Sequence, residues 1–132
     1  SKLLGVKYFG VGKFHVINSG NKVYTMYTTH GNSGALLPYT KIKSVLNLEK
    51  IVDADVYAMG HVHQLSHHIR NFFKYDRSGR KIEKVMKHFI ICGGYLDYWG
   101  SYAQVQGYEP NRMGSPVVTF YENDKKIRVV LE

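Results

Sequence analysis

Asp53-Ala54-Asp55-Val56-Tyr57-Ala58-Met59-Gly60-His61-Val62-His63 is the stretch whose reading decides the fold. The apolar run from Val56 to Met59 is short and stops at a glycine, the signature of an interior strand. Strict strand geometry would send His61 and His63 to one face and Val62 to the other, while Gly60 permits a bend and a close backbone approach. Two imidazoles at the end of a buried strand make half a metal site. The same residues would also suit a polar turn with both rings in water.

Upstream, Lys22-Val23-Tyr24-Thr25-Met26-Tyr27-Thr28 alternates as a strand and leads into Thr29-His30-Gly31-Asn32-Ser33-Gly34, a glycine-rich loop. Backbone N–H groups in such a loop can face an anion or a metal-bound ligand; an ordinary surface loop has the same composition. Pro38-Tyr39-Thr40 opens one clear helix, with Thr40 placed to cap it. Ile42, Val45, Leu46, Leu48 and Ile51 give it a one-sided apolar face. Strand, helix, strand in that order predicts a sheet with at least one covered face. The fold class expected is α/β, β-rich, with one clear helix.

His30-Gly31, the intervening helix and strand, and Gly60-His61-Val62-His63 together resemble the C-terminal half of a calcineurin-like metallophosphoesterase. That family carries its metal ligands in the order D-x-H, G-D-x-x-D, G-N-H, a lone H often followed by G, then G-H-x-H. The last two are here; the first three occur nowhere in the chain. The resemblance is best over 24–66. It implies half of an α/β/β/α sandwich with two divalent ions, manganese first and zinc, iron or magnesium as alternatives. It also implies that His30 and His61 bind one ion and His63 the other. Two ions about 3.5–4 Å apart clamp a phosphoryl group and acidify a bound water. Neutral imidazoles are the ligands, so binding should weaken below about pH 6.5. The bridging aspartate, the asparagine ligand and the histidine that assists the leaving group belong to the missing motifs, so no catalytic residue is assigned here. Asp53 and Asp55 cannot bridge, because Asp55 lies about 15–20 Å from the end of the strand that delivers His61.

The rest of the chain is β-rich. Residues 1–28 read as strands, with a hairpin turn at Asn18-Ser19-Gly20-Asn21. A second hairpin joins 65–75 to 81–92 through Asp76-Arg77-Ser78-Gly79-Arg80, and a third joins 116–121 to 126–131. His67 and His68 would face opposite ways in a strand; His15 and His88 read as structural. Residues 93–115 mix glycine with Tyr95, Tyr98, Trp99, Tyr102 and Tyr108, rings that can stack bases, cover a sheet edge or form a subunit contact. Asn32, Tyr95, Tyr98 and Trp99 are the candidate substrate contacts.

Composition bounds the function. The 132 residues suit one domain, and 44% apolar content permits a core. No run of 18 or more apolar residues could span a membrane. A single cysteine, Cys92, excludes an internal disulfide, and with no visible signal peptide the expectation is a cytoplasmic protein. Flanked by Ile90 and Ile91, that thiol reads as a small buried hydrophobe. Ser1 in place of Met suggests a processed or cut chain. The net charge of +8, concentrated in 70–87, points to polyanions such as DNA or RNA. Three functions fit: part of a metal-dependent phosphoesterase, a nuclease or phosphodiesterase first; a nucleic-acid-binding module without catalysis; or a structural protein with an incidental or zinc-holding His-Val-His. The first expects a partner layer on the second face of strand 55–59, from the missing half or a second subunit.

Overall fold

The computed structural model describes residues 10–31, 37–95, 97–107, 110 and 112–132. It is a β-rich α/β fold built on a five-stranded mixed sheet. Strands β1 (Gly12–Ser19) and β2 (Lys22–Thr29) form the first hairpin, joined by Gly20-Asn21 with Gly20 at φ 56°. Helix α1 (Pro38–Leu46) and a 3-10 turn (Asn47–Lys50) lead to β3 (Val56–Met59). Strands β4 (Ser66–Asp76) and β5 (Lys81–Ile91) form the second hairpin. A four-residue helix, α2 (Tyr102–Val105), precedes the closing hairpin of β6 (Pro116–Phe120) and β7 (Ile127–Leu131). The sheet order is β1-β2-β3-β5-β4, with β2, β3 and β5 parallel and an antiparallel strand at each edge. Of the strands expected in 1–28, residues 1–9 lie outside the described residues.

Helix α1 begins at Pro38, not after Thr40. Leu37 holds extended backbone angles with no side-chain cap, and Pro38 takes the first turn. Proline suits that position because its missing N–H would have had no helical partner. Thr40 lies inside the helix, where its carbonyl accepts from the Ser44 hydroxyl. Val45 and Leu48 are buried, but Ile51, expected on the same face, is 65% exposed. The tighter 3-10 turn changes the period from 3.6 to about 3.0 residues and rotates Ile51 away.

The sheet is covered on both faces. On the helix side, Val45, Leu48, Ala54, Tyr57, Met59, Val62, Phe89 and Ile91 form one core cluster. On the other, Val56, Ala58 and Ile90 pack with Met26, Val118, Phe120, Ile127 and Val129. The second layer is therefore the chain's own β6–β7 hairpin, and the expected layer from a missing half or second subunit is corrected. Tyr24 locks it in place. Its ring is fully buried and lies 5.0 Å from that of Phe120. Its hydroxyl reaches the Tyr121, Asp124 and Lys126 carbonyls at 2.6, 2.9 and 3.2 Å and accepts from the Lys126 N–H. A buried phenol so satisfied specifies where the closing turn sits. Among the described residues no helix is long and apolar enough to cross a membrane.

Candidate functional site

Three parallel strands end together at Thr29, Met59 and Ile91. Open α/β sheets bind ligands outside the carboxyl ends of their parallel strands, and here the three following loops are stitched to one another. The Gly60 N–H donates to the Thr29 carbonyl at 3.1 Å, and the Cys92 N–H to the Met59 carbonyl at 2.8 Å. Gly31, at φ 81°, lies over Met59, so a Cβ there would come within 2.6 Å of Met59 Cγ. Only glycine meets both demands.

His61 and His63 do not continue the strand. Val62 N–H donates to the Gly60 carbonyl at 2.8 Å, closing a three-residue turn with His61 at its centre, φ 67°. That hand of γ-turn is rare and strained. His63 is also left-handed, at φ 52°. Val62 between them is buried in the helix-side core, whereas both histidines are exposed. The expected in–out alternation thus survives, but two left-handed residues flanking a buried anchor produce it, and pleating does not. Such strain costs about 1–3 kcal/mol per residue and clusters at functional sites.

The His30 and His61 rings meet. Nε2 of His30 is 3.2 Å from Nδ1 of His61, and the rings lie edge to face with centroids 5.1 Å apart. The His30 backbone is fixed by its N–H on the Val11 carbonyl, 2.8 Å away. A shallow cleft of about 110 Å³ opens beside it, lined by Gly10, Val11, Gly12, Lys13, Thr28 and Thr29. His63 packs on the third loop instead. A Cβ at Gly94 would stand 2.6 Å from His63 Nδ1, so this glycine is needed for the ring to fit. Among the described residues no group of three or more His, Cys, Asp or Glu side chains gathers closely enough to hold a metal. The structure thus joins two of the three expected ligands and sets the third beside the Gly93-Gly94 loop.

Of the candidate substrate contacts, Asn32 lies outside the described residues. Tyr95 directly follows Gly94, is 73% exposed, and its hydroxyl contacts that of Ser115. Tyr98 and Trp99 meet edge to face at 5.5 Å, with Trp99 76% exposed. Tyr95 and Trp99 therefore stand out from the surface and do not cover the sheet edge. Asp53 and Asp55 stay at the far end of β3. Asp53 pairs with Lys87; Asp55 accepts from the Thr25 N–H at 2.9 Å and lies 3.6 Å from Lys125 Nζ. Cys92 is half-buried, and burial pushes its thiol pKa up, as the apolar reading expects.

A second histidine pair was not legible in the sequence. His67 and His88 stack at 5.2 Å with planes 6° apart, and Nε2 of His67 is 2.9 Å from Nδ1 of His88. One ring must donate and the other accept, which two protonated imidazoles cannot do. Only the β4–β5 register brings residues 67 and 88 together, so local spacing held no signal. His68 points to the opposite face, as expected, where its Nε2 is buried with no hydrogen-bond partner among the described residues, like Ser66 Oγ and Gln64 Oε1.

Burial holds the pKa of both paired histidines below the ordinary value; for His67 the charges of His88 and His68 add to this, and for His88 Asp55 partly opposes it. The unfolded chain therefore takes up protons first as pH falls below about 6.5. Stability should be full above that pH and decline as pH drops toward the depressed folded values. Urea midpoints at pH 7.5 and 5.0 should fall further apart in the wild type than in His88→Leu. Equal drops would assign the acid sensitivity elsewhere.

No family model, curated protein or solved structure matches the chain.

Proposed function

We propose that this chain is the histidine-bearing part of a metal-dependent phosphoesterase, with nucleic acid as the favoured substrate. The observation that carries the reading is the His30–His61 pair at the carboxyl edge of the parallel strands, with His61 held in a strained turn. Two imidazole nitrogens on one tetrahedral ion at about 2.0–2.1 Å stand about 3.3 Å apart; those of His30 and His61 are 3.2 Å apart. The pair therefore fits one divalent cation, although the same separation also suits a shared N–H···N bond. His63 would serve a second ion. A divalent ion bound here would polarise a phosphoryl oxygen and acidify a water.

The protein's own contribution is orientation. Buried Val62 and the Gly60–Val62 turn hold the His61 ring toward His30, and Gly94 leaves room for His63. Among the described residues no carboxylate joins these histidines. A dinuclear centre would thus need further ligands, of the D-x-H, G-D-x-x-D and G-N-H kind, from outside these residues.

Calorimetric titration of Mn²⁺ or Zn²⁺ tests the ligand assignment. His61→Ala and His30→Ala should each weaken binding by about tenfold or more, the least that even outer-shell changes commonly cost. Wild-type affinity in both variants, with folding verified by circular dichroism, would remove the metal from this site.

A further inference from the structure

The β4–β5 hairpin is far longer than the sheet it belongs to. β3 pairs with β5 only along His88–Ile91, and residues 70–76 and 81–87 pair only with each other among the described residues. At about 3.4 Å per residue, seven paired positions carry this two-stranded ribbon roughly 20 Å beyond the start of β3. Its base is braced on the helix side by Arg70 on Glu49 and by Lys87 on Asp53. Cations also cover the apolar ring on that side, where Arg70 and Lys87 lie 5.0 and 5.3 Å from the centre of Phe72.

Among the described residues nothing covers the far part of the opposite face. The register puts Phe73 against Lys84, Tyr75 against Ile82 and Asn71 against Met86 on one side. Phe73 is 79% exposed, Ile82 69%, Tyr75 58% and Met86 49%. An apolar stripe of this kind on a projecting element marks a docking surface. Charge decides the occupant. Residues 70–87 hold seven Lys or Arg against two acidic residues, a net of +5 within the chain's +8, and +3 once Glu49 and Asp53, the partners of Arg70 and Lys87, are included. Two copies meeting here would bring like charges together, whereas a polyanion is complementary. Exposed rings interleaved with cations stack successive bases while the cations meet phosphates.

We infer that the 70–87 ribbon binds single-stranded nucleic acid, stacking bases on Phe73 and Tyr75 and meeting the backbone with Lys84 and the cations of the turn. The turn is preformed for this. Asp76 accepts from Ser78 N–H and Gly79 N–H at 3.1 and 3.0 Å, and Arg80 sits at φ 48°, so Arg77 and Arg80 flank a rigid tip. The ribbon extends past the amino-terminal end of β3, opposite to His30 and His61. It is therefore a tether for the strand, not part of the reacting site. The inference deepens the nucleic-acid side of the proposed function, and measuring binding in chelator keeps its failure separate from failure of the metal site.

The test is fluorescence anisotropy of labelled oligothymidylate, oligouridylate and a duplex of equal length, in EDTA, between 50 and 200 mM salt, a span over which about 6–10 phosphate contacts lose 10³–10⁵ in affinity. The wild type should bind both single strands more tightly than the duplex. Phe73→Leu with Tyr75→Leu keeps apolar area and removes the rings; it should weaken single-strand binding about 5- to 150-fold per ring, the equivalent of one stacked base. Replacing Arg77, Arg80 and Lys84 by Ala should flatten the salt dependence. These side chains lie outside the core, and unchanged thermal melts will verify the fold. Tighter binding of the duplex, or ring variants that bind like the wild type, would overturn the inference. So would a concentration-dependent dimer that the ring variants abolish while nucleic-acid affinity stays the same.

Discussion

Phe89→Ala should lower the unfolding free energy by about 3–5 kcal/mol, out of the 5–15 kcal/mol common for a domain. Phe89 is fully buried and stacks on Tyr57 with ring centroids 4.9 Å apart and planes 6° apart. Tyr57 is itself tied down, donating to the Val52 carbonyl at 2.7 Å and accepting from the Ala54 N–H at 2.8 Å. Tyr57 is thus held at its hydroxyl and resists moving into the space the Phe89 ring would leave. Phe73, on the adjacent strand but 79% exposed, is the internal control: Phe73→Ala should stay within about 0.5 kcal/mol. Urea unfolding will separate the two, with a large drop in midpoint at unchanged slope for Phe89→Ala alone. The same cluster contains Val62, the anchor of the His61 turn. Phe89→Ala should therefore weaken metal binding as well, although it lies in another strand. Comparable losses from both variants would mean that the helix-side cluster is not the dominant core.

The second large effect concerns turnover. This chain alone should hydrolyse a chromogenic phosphodiester in Mn²⁺ no faster than the metal blank, and a polypeptide carrying the D-x-H, G-D-x-x-D and G-N-H motifs should restore hydrolysis. The reason is ligand count. Two dications held about 3.5–4 Å apart repel strongly unless a carboxylate lies between them. The two acidic groups closest in sequence, Asp53 and Asp55, are committed to Lys87 and to Thr25 and Lys125 at the other end of β3. The second face of the sheet is covered by β6–β7, so only the ligand count calls for further residues. Metal-dependent turnover by the isolated chain, abolished by His63→Ala, would refute it and require a one-ion mechanism. If complementation fails while His61→Ala still loses metal, the chain is a metal-holding binding module without catalysis.

Local pattern was enough for much of this architecture. Val56–Met59 is apolar at every position because both its faces are buried, and that can be read without knowing what buries them. Turn residues at Asn18–Asn21 and Asp76–Arg80 marked two hairpins, and the apolar pattern of Ile42, Val45, Leu46, Leu48 and Ile51 marked the helix, although Ile51 is exposed. His61 and His63 were marked by their spacing after a buried strand, and His30 only by the resemblance of the His30-Gly31 and Gly60-His61-Val62-His63 motifs to the family. Tertiary structure alone decided three things. It determined that the second layer is β6–β7, since pairing residue 24 with 121–126 requires knowing which way a hairpin folds back. It determined that His30 meets His61 while His63 turns to Gly94, because left-handed angles at two non-glycine residues follow from the burial of Val62, not from local preference. And it determined the His67–His88 stack and the bare ribbon face, because strand register and strand length relative to neighbours are long-range quantities.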